Sequence, residues 1–433
     1  MLQKLKGAGA KALAKTRDKV QSPNDPYILA LDIGTENVKA IIGHVQPQGE
    51  IEIVGVGRAH QNLTDMQAGA IADIAAVTAN CEKALSDAES QAGLSATSVV
   101  IGIAGELVKG TTTTVRITRK DAQKPLDVAE VEQMVGLVQD RAEKSAKEQL
   151  SLELGGKDVE VRLVNSALVR ISIDGYPITN PVGFQGREVL VQLYTAFAPL
   201  IHIGALERVA NELDLDLMAV AAEPFAVARA VVGDDPNANT SAILMDVGGG
   251  TTDIAVVHEG GVQGTKMFGI GGRAFTKSIE RDLGLEFLKA EALKVGLSSG
   301  RIPAPKVKEI EKPLHKTLEV WRGGVELALD EFNVEQMPHR VLLCGGGSSL
   351  DMLFDELQKT GWYKDLPFTR SPQVQHIQPE DIDGFIDRTN SLTDHTFITA
   401  MGLLRVAVDT TEQTGRSLTS GSLKDKFNKL LKV

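Results

Sequence analysis

The chain has 433 residues, more than one hydrophobic core ordinarily fills, so two or more packed lobes are expected. Its apolar content of 42% supplies those cores, and a formal charge of −11 argues against nucleic acid as the main partner of the body, a local basic patch aside. The two cysteines, Cys81 and Cys344, lie far apart in apolar stretches and read as buried free thiols of a reducing compartment. No run approaches the roughly 18 to 20 apolar residues that span a bilayer, and the N-terminus lacks the apolar core of a secretory signal, so a cytoplasmic protein with at most peripheral membrane contact is expected.

In chain order, residues 1–26 form a basic arm (Lys4, Lys6, Lys11, Lys15, Arg17, Lys19) closed by prolines, either a second membrane-surface segment or a tail. Three strands at hairpin spacing follow, Tyr27 to Asp32, Val38 to Val45 and Ile51 to Val56, and then a helical pattern over Ile71 to Ala92. Together they give a first-lobe core over 27–97. From Ser98 the texture changes to a Thr-rich alternating stretch, a charged helix from about Asp127 to Gln149, and further strand patterns to Phe197; this reads as a small α+β module over 98–197. The first lobe continues over 198–238, through a helix from Leu200 to Leu213. A second core then opens with Ser241 to Asp246, and its order repeats the first: strand, Asp-Gly turn, strand, strand, helix. Such a duplication with a ligand between the copies explains glycine at the same turn in both. The second lobe takes its core from 239–271 and 339–392, with an outer subdomain over 272–338. A closing helix over 393–408 returns to the first lobe, 409–421 is a Thr-, Ser- and Gly-rich linker, and 422–433 is a terminal helix.

Three glycine turns each follow a strand. They are Asp32-Ile33-Gly34-Thr35-Glu36-Asn37-Val38-Lys39, Asp246-Val247-Gly248-Gly249-Gly250-Thr251-Thr252-Asp253, and Gly345-Gly346-Gly347-Ser348-Ser349. Glycine lets backbone N–H groups approach phosphate oxygens without a clashing Cβ, and neighbouring Thr and Asn side chains add donors. A carboxylate ending each of the first two strands suits Mg²⁺, which keeps most of its water and needs few direct ligands. Alone, Gly345 to Gly347 is equally a plain strand-to-helix turn.

In this order and spacing the turns resemble the two phosphate motifs and the adenosine motif of the actin-like ATPase superfamily, whose fold is α/β with duplicated ribonuclease H-like lobes. Glu223-Pro224-Phe225 resembles that family's connecting motif, and Ala290 to Lys294, after Gly271-Gly272, resembles its helix near ribose and adenine. The resemblance implies ATP and Mg²⁺ as cofactors. Asp32 and Asp246 would organise Mg²⁺ through water, and Gly34, Thr35, Glu36, Asn37, Lys39, Gly248, Gly249, Gly250, Thr251 and Thr252 would surround the phosphates. Gly271, Gly272, Glu291, Lys294, Gly345, Gly346, Gly347 and Ser348 would hold the nucleoside. Glu223 would orient the attacking water in a weak or absent ATPase, or else be only an acid in a first helical turn.

Ile101 to Leu107, the alternating Thr/Val strand after it and Asn180 to Arg187 resemble the inserted subdomain of the FtsA/PilM branch. The tail separates the two. Leu423, Phe427, Leu430 and Leu431 fall on one helical face, with Lys424, Lys426, Lys429 and Lys432 on the rest. Burying four such side chains at roughly 1.5 to 3 kcal/mol each, with about 1 kcal/mol per lysine at anionic lipid, barely exceeds the cost of ordering the helix. A monomer would bind weakly and an array strongly, unless the tail docks on protein instead. An amphipathic C-terminal anchor is the FtsA pattern. That resemblance implies self-association, attachment to anionic lipid on the cytoplasmic face of the inner membrane at the division site, the FtsZ C-terminal peptide and other division proteins as partners, and no nucleic acid. A PilM-like pilus or secretion scaffold is the alternative, and a small-molecule kinase of the same fold a more distant one.

Overall fold

A computed structural model describes residues 27–46, 49–233, 239–332, 334–359 and 361–415, with side chains up to 410 in the last segment. The basic arm and the amphipathic tail, Leu423 to Lys432 included, lie outside the described residues.

The first lobe starts with β1 (Tyr27–Ile33), β2 (Asn37–Val45) and β3 (Ile51–His60), a small hairpin β4 (Met66–Gln67) and β5 (Ala70–Ile71), helix α1 (Ile74–Ala92) and β6 (Ser98–Ile103). β1, β2 and β3 pair antiparallel, and β6 lies parallel to β1. Strand β1 has neighbours on both sides and layers on both faces, which is why Ile28 to Leu31 is an unbroken apolar run rather than an alternating one. Helix α1 is capped by the Asp73 side chain on the Ala76 N–H and ends at Gly93 with φ +69°. It lies directly on β3 because Gly55 and Gly57 have no side chain; a Cβ on Gly57 would stand 1.8 Å from the Ala84 carbonyl oxygen.

The inserted module comprises β7 (Lys109–Thr118), α2 (Val128–Glu153), β8 (Val161–Ile173), β9 (Tyr176–Pro177) and β10 (Glu188–Pro199). Asp127 caps α2, which covers one face of the strands through Val131, Met134, Val135 and Val138. The chain returns through α3 (Leu200–Glu212), β11 (Asp216–Ala222) and α4 (Glu223–Val232). The second lobe repeats the first plan with β12 (Ala242–Val247), β13 (Thr252–His258) and β14 (Gly261–Phe268) antiparallel, then α5 (Gly272–Leu283), α6 (Phe287–Ser298) and α7 (Ala304–Asp330). It is completed by β15 (Arg340–Cys344), parallel to β12, then α8 (Asp351–Gln358) and β16 (Gln373–His376). Strand β17 (Phe385–Asp387) and helix α9 (Ile398–Gly415) end the described chain.

Among the described residues, besides the β4-β5 hairpin, two large sheets result, one in the order β11-β6-β1-β2-β3-β17 and one in the order β16-β15-β12-β13-β14-β7-β10-β8-β9. The duplicated strand order expected from sequence is therefore present in both lobes. Three boundaries move. β6 belongs to the first sheet, not to the inserted module, because its run Val99 to Ile101 is buried between β1 and β11. β17 pairs with β3 across the chain and so is first-lobe material. Residues 409–415 continue α9 rather than opening a linker, with Asp409 ion-paired to Arg229 at 2.8 Å. Cys81 and Cys344 are both buried free thiols.

Candidate functional site

The two lobes face each other across a cleft of ≈ 360 Å³ whose walls are the three glycine turns. It is lined by Asp32, Gly34, Thr35, Glu36, Asn37 and Lys39 from the β1–β2 turn, and by Asp246, Gly248, Gly249 and Thr251 from the β12–β13 turn. Gly345, Gly346 and Gly347 after β15 line it too, with Gly272 on α5, Glu291 and Lys294 on α6, and Glu223 at the head of α4. Residues more than 300 positions apart in sequence thus converge because both lobes deliver their strand ends to one line, the place where open α/β sheets bind ligands.

The two phosphate-type turns sit back to back. A Cβ on Gly249 would come 2.9 Å from the Glu36 Cβ, and one on Gly250 would come 2.7 Å from Thr35 Oγ1. Gly345, at φ +81°, takes a left-handed conformation, and a Cβ there would collide with Asp246 Oδ1 at 1.9 Å. The β12–β13 turn is also fastened to the start of α5, where the Gly272 N–H donates to the Gly248 carbonyl (2.9 Å) and the Arg273 N–H to that of Gly249 (2.8 Å).

The floor of the cleft is acidic. Asp32, Asp246, Asp253 and Glu223 are all buried, and Lys39 forms a 2.7 Å ion pair with Asp32. Burial acts to lower the Lys39 pKa, but Asp32 and Asp246 more than offset it and hold the ammonium charged. Burial, with Asp32, Asp253 and Asp246 adding their repulsion, pushes the Glu223 carboxyl well above its usual range. Asp253 is raised likewise by burial and then by Asp246. Asp246 is raised less, since Lys39 and the Thr399 hydroxyl favour its charged form against burial. Asp253 Oδ2 accepts from Thr251 Oγ1 (3.0 Å), whereas its Oδ1 is buried without a hydrogen-bond partner.

This surplus of buried carboxylate and an orphaned acceptor fit a cation. Among the described residues no three His, Cys, Asp or Glu side chains converge to hold a metal directly, so the residues present fit an ion held through its own water and a ligand's oxygens.

Not every residue expected at the site reaches it. Thr252 is fully buried away from the cleft, where its hydroxyl donates to the Ile270 carbonyl (2.7 Å) and accepts from Trp321 Nε1 (3.0 Å). Side chains alternate across a strand, so Thr251 and Thr252 cannot both face the ligand. Gly250 and Gly271 stand behind the lining, and Ser348 closes its own turn by donating to the Gly345 carbonyl at 2.7 Å. Glu291 and Lys294 form a 2.8 Å pair, and Lys294 Nζ also donates to the Gly272 carbonyl at 3.0 Å.

The cleft also contains residues that the motifs did not single out: Arg58, His60, Asp253, Arg273 and Thr396. Asp253 stood inside the second turn's own motif. Arg273 follows Gly271-Gly272, and a cation opening a helix behind a glycine pair was a readable signal. Arg58, His60 and Thr396 come from a strand end and a loop with no local signature.

Comparisons with known proteins find similar sequences and a similar fold. The sequence model of the family described as FtsA, cell division protein FtsA, matches residues 243–402. The chain is 26% identical over 402 residues to the cell division protein FtsA of Neisseria meningitidis serogroup B, covering 88% of this chain and 90% of that one. It is 25% identical over 369 residues to that of Enterococcus faecalis, covering 76% of each. Among solved structures it superposes on a chain of the PilM–PilN type IV pilus biogenesis complex with a TM-score of 0.63 and 16% identity, covering 88% of this chain and 98% of the other. By fold the chain is an actin-like α/β protein, and by sequence it is related to the cell division protein FtsA.

Proposed function

We propose that the chain is an actin-like cell division protein that binds ATP with Mg²⁺ in the interlobe cleft, self-associates, and tethers FtsZ filaments to the inner membrane. The observation that carries the reading is the meeting of three glycine turns and four buried carboxylates in one cleft of a chain whose sequence relatives are FtsA proteins.

Within that reading, backbone N–H groups of the turns at Gly34 and Gly248 receive phosphate oxygens, with Thr35 and Thr251 adding hydroxyls. Glu291 and Lys294 on one side and Gly345 to Gly347 on the other hold the nucleoside. When bound, Mg²⁺ supplies charge neutralisation for the phosphates, and Asp32 and Asp246 orient its water shell. Glu223, at the head of α4 and lining the cleft, would orient the attacking water. Turnover is slow or absent, since a scaffold needs nucleotide-dependent closure more than hydrolysis.

The anchor is the segment Ser422 to Val433, and the body meets the cytoplasmic face of the membrane peripherally. No helix among the described residues is long and apolar enough to cross a bilayer. The test is co-sedimentation with vesicles of phosphatidylglycerol and phosphatidylethanolamine, with and without ATP and Mg²⁺, comparing the full chain with one ending before Ser422. Nucleotide-enhanced binding lost with the tail supports the reading. Binding that ignores both sinks the membrane tether and moves the assignment to a PilM-like scaffold.

A further inference from the structure

The first turn of α9 bonds to the carboxylate floor of the cleft. Thr399, 3% exposed, donates its hydroxyl to Asp246 Oδ2, so a residue of the closing helix holds the carboxylate that ends the first strand of the opposite lobe. Its immediate neighbour upstream, the 395–397 turn, also meets the cleft. Thr396 lines it, and the His395 carbonyl accepts from the Gly345 N–H at 3.2 Å.

From there α9 is tied along its length to α4. A Cβ on Gly402 would lie 2.2 Å from the Ala226 carbonyl oxygen, so the two helices touch backbone to backbone and no rotamer change can absorb a shift between them. Helix α4 itself begins in the cleft at Glu223. Farther on, Arg229 grips both oxygens of Asp409, from Nε at 2.8 Å and from Nη2 at 3.1 Å, in the planar two-point arrangement that fixes orientation as well as distance. Two helices that start beside the cleft are thus joined near their starts and clamped farther along.

We propose that Thr399 is a positioning residue for Asp246, and that through it occupancy of the cleft is carried along α9 to the Arg229–Asp409 clamp and the chain that follows. The proposal rests on the nucleotide reading of the cleft. A ligand shifts a conformation only by binding one arrangement better than another. The Thr399 hydroxyl supplies that difference, because it orients Asp246 only while α9 is seated. By reciprocity, a ligand that needs an oriented Asp246 seats α9.

Hydrogen exchange of the full chain, with and without Mg–ADP, tests this in the wild type, Thr399→Val and Thr399→Ser, alongside calorimetric titration with Mg²⁺ or with EDTA. In the wild type and the serine variant the ligand should slow exchange both at 345–349 and along 403–415. The valine variant should bind Mg–ADP roughly tenfold more weakly, as loss of a hydrogen bond to a charged group implies, with binding in EDTA unchanged. At saturation it should protect 345–349 but not 403–415. Asp409→Asn, remote from the cleft, should keep the affinity and lose the protection at 403–415.

Unchanged protection of 403–415 in Thr399→Val overturns the proposal, and if that variant does not fold, unchanged protection in Asp409→Asn overturns it instead. A wild-type chain that takes up no Mg–ADP overturns the nucleotide reading itself, a failure visible before any variant is compared.

Discussion

Glu36 and Arg273 meet across the cleft, Nε to Oε2 at 2.7 Å, one from the turn after β1 and the other from the second residue of α5. The pair is mostly shielded, with Arg273 also 3.5 Å from the Gln61 carbonyl and His60 Nδ1 3.5 Å from the other Glu36 oxygen. It therefore fastens the two lobes at the same place where their glycine turns touch.

Replacing Arg273 with Gln should loosen that fastening. A charge-assisted bond in a largely buried setting contributes about 1.5–3 kcal/mol, which is large enough to populate an opened form. Small-angle scattering of the ligand-free variant should give a larger radius of gyration than the wild type, and exchange at 34–37 should accelerate. An unchanged profile would show that packing of the turns alone keeps the lobes together.

The acidic floor sets a pH dependence of definite sign. Asp253 and Glu223 have folded pKa values raised above their ordinary ones by burial first and by neighbouring carboxylates second. The folded state therefore binds more protons than the unfolded state between the ordinary carboxylate range and those raised values, and stability falls as pH rises through that window. Asp253→Asn, which cannot ionise, should melt higher than the wild type at pH 8 without ligand. The difference should shrink toward the acid side, where Asp253 is protonated anyway. Melting curves from pH 4.5 to 8 measure this, and a difference independent of pH would refute it.

Thr252→Val separates two roles for one residue. The motif suggests a phosphate contact, whereas the structure gives its hydroxyl to Ile270 and Trp321. Leaving the indole N–H buried and unpaired costs about 1–3 kcal/mol. A lower denaturation midpoint with unaltered ADP affinity is expected; weakened binding at full stability would restore the sequence-based role.

Gly57→Ala tests how α1 is seated. The added methyl would stand 1.8 Å from the Ala84 carbonyl oxygen, so strand and helix must separate. Overpacking of this kind costs about 1–3 kcal/mol, occasionally more. Urea denaturation should show the loss, and a neutral result would mean that α1 moves without penalty.

Both thiols should be silent in the native protein. Burial pushes Cys81 up to about 12, and burial followed by the charge of Asp246 drives Cys344 well above its usual value. Ellman's reagent should label neither in buffer and both in guanidinium chloride.

Much of this was legible from residues alone. The duplicated strand order, the three turns and Glu223 at the head of a helix are local patterns, and each is set by neighbours in sequence. Glu223 opens a helix, as one reading of it had it, and it also lines the cleft, while its part toward an attacking water belongs to the proposed function. What escaped detection depends on partners far away in the chain. Strand β6 joins the first sheet because β1 and β11 bury it, and β17 because β3 offers a free edge. Thr252 left the site because the strand's alternation begins at that residue and Trp321 waits on the other side. The pairing of Arg273 with Glu36 was not readable, because the two lie 237 positions apart.

The inserted segment enters and leaves through the first lobe, yet it is bonded to both. Strand β7 pairs with β14 at Thr111–Gly264 and Gly110–Thr265, and the Tyr194 hydroxyl meets that of Thr265 at 3.2 Å, while Asn165 accepts from the Ala222 N–H at 2.7 Å on the first-lobe side. Any swing of the lobes loads these attachments, so the segment acts as a cross-brace on the hinge. Parting β7 from β14 would have to break these backbone pairs, well away from the cleft.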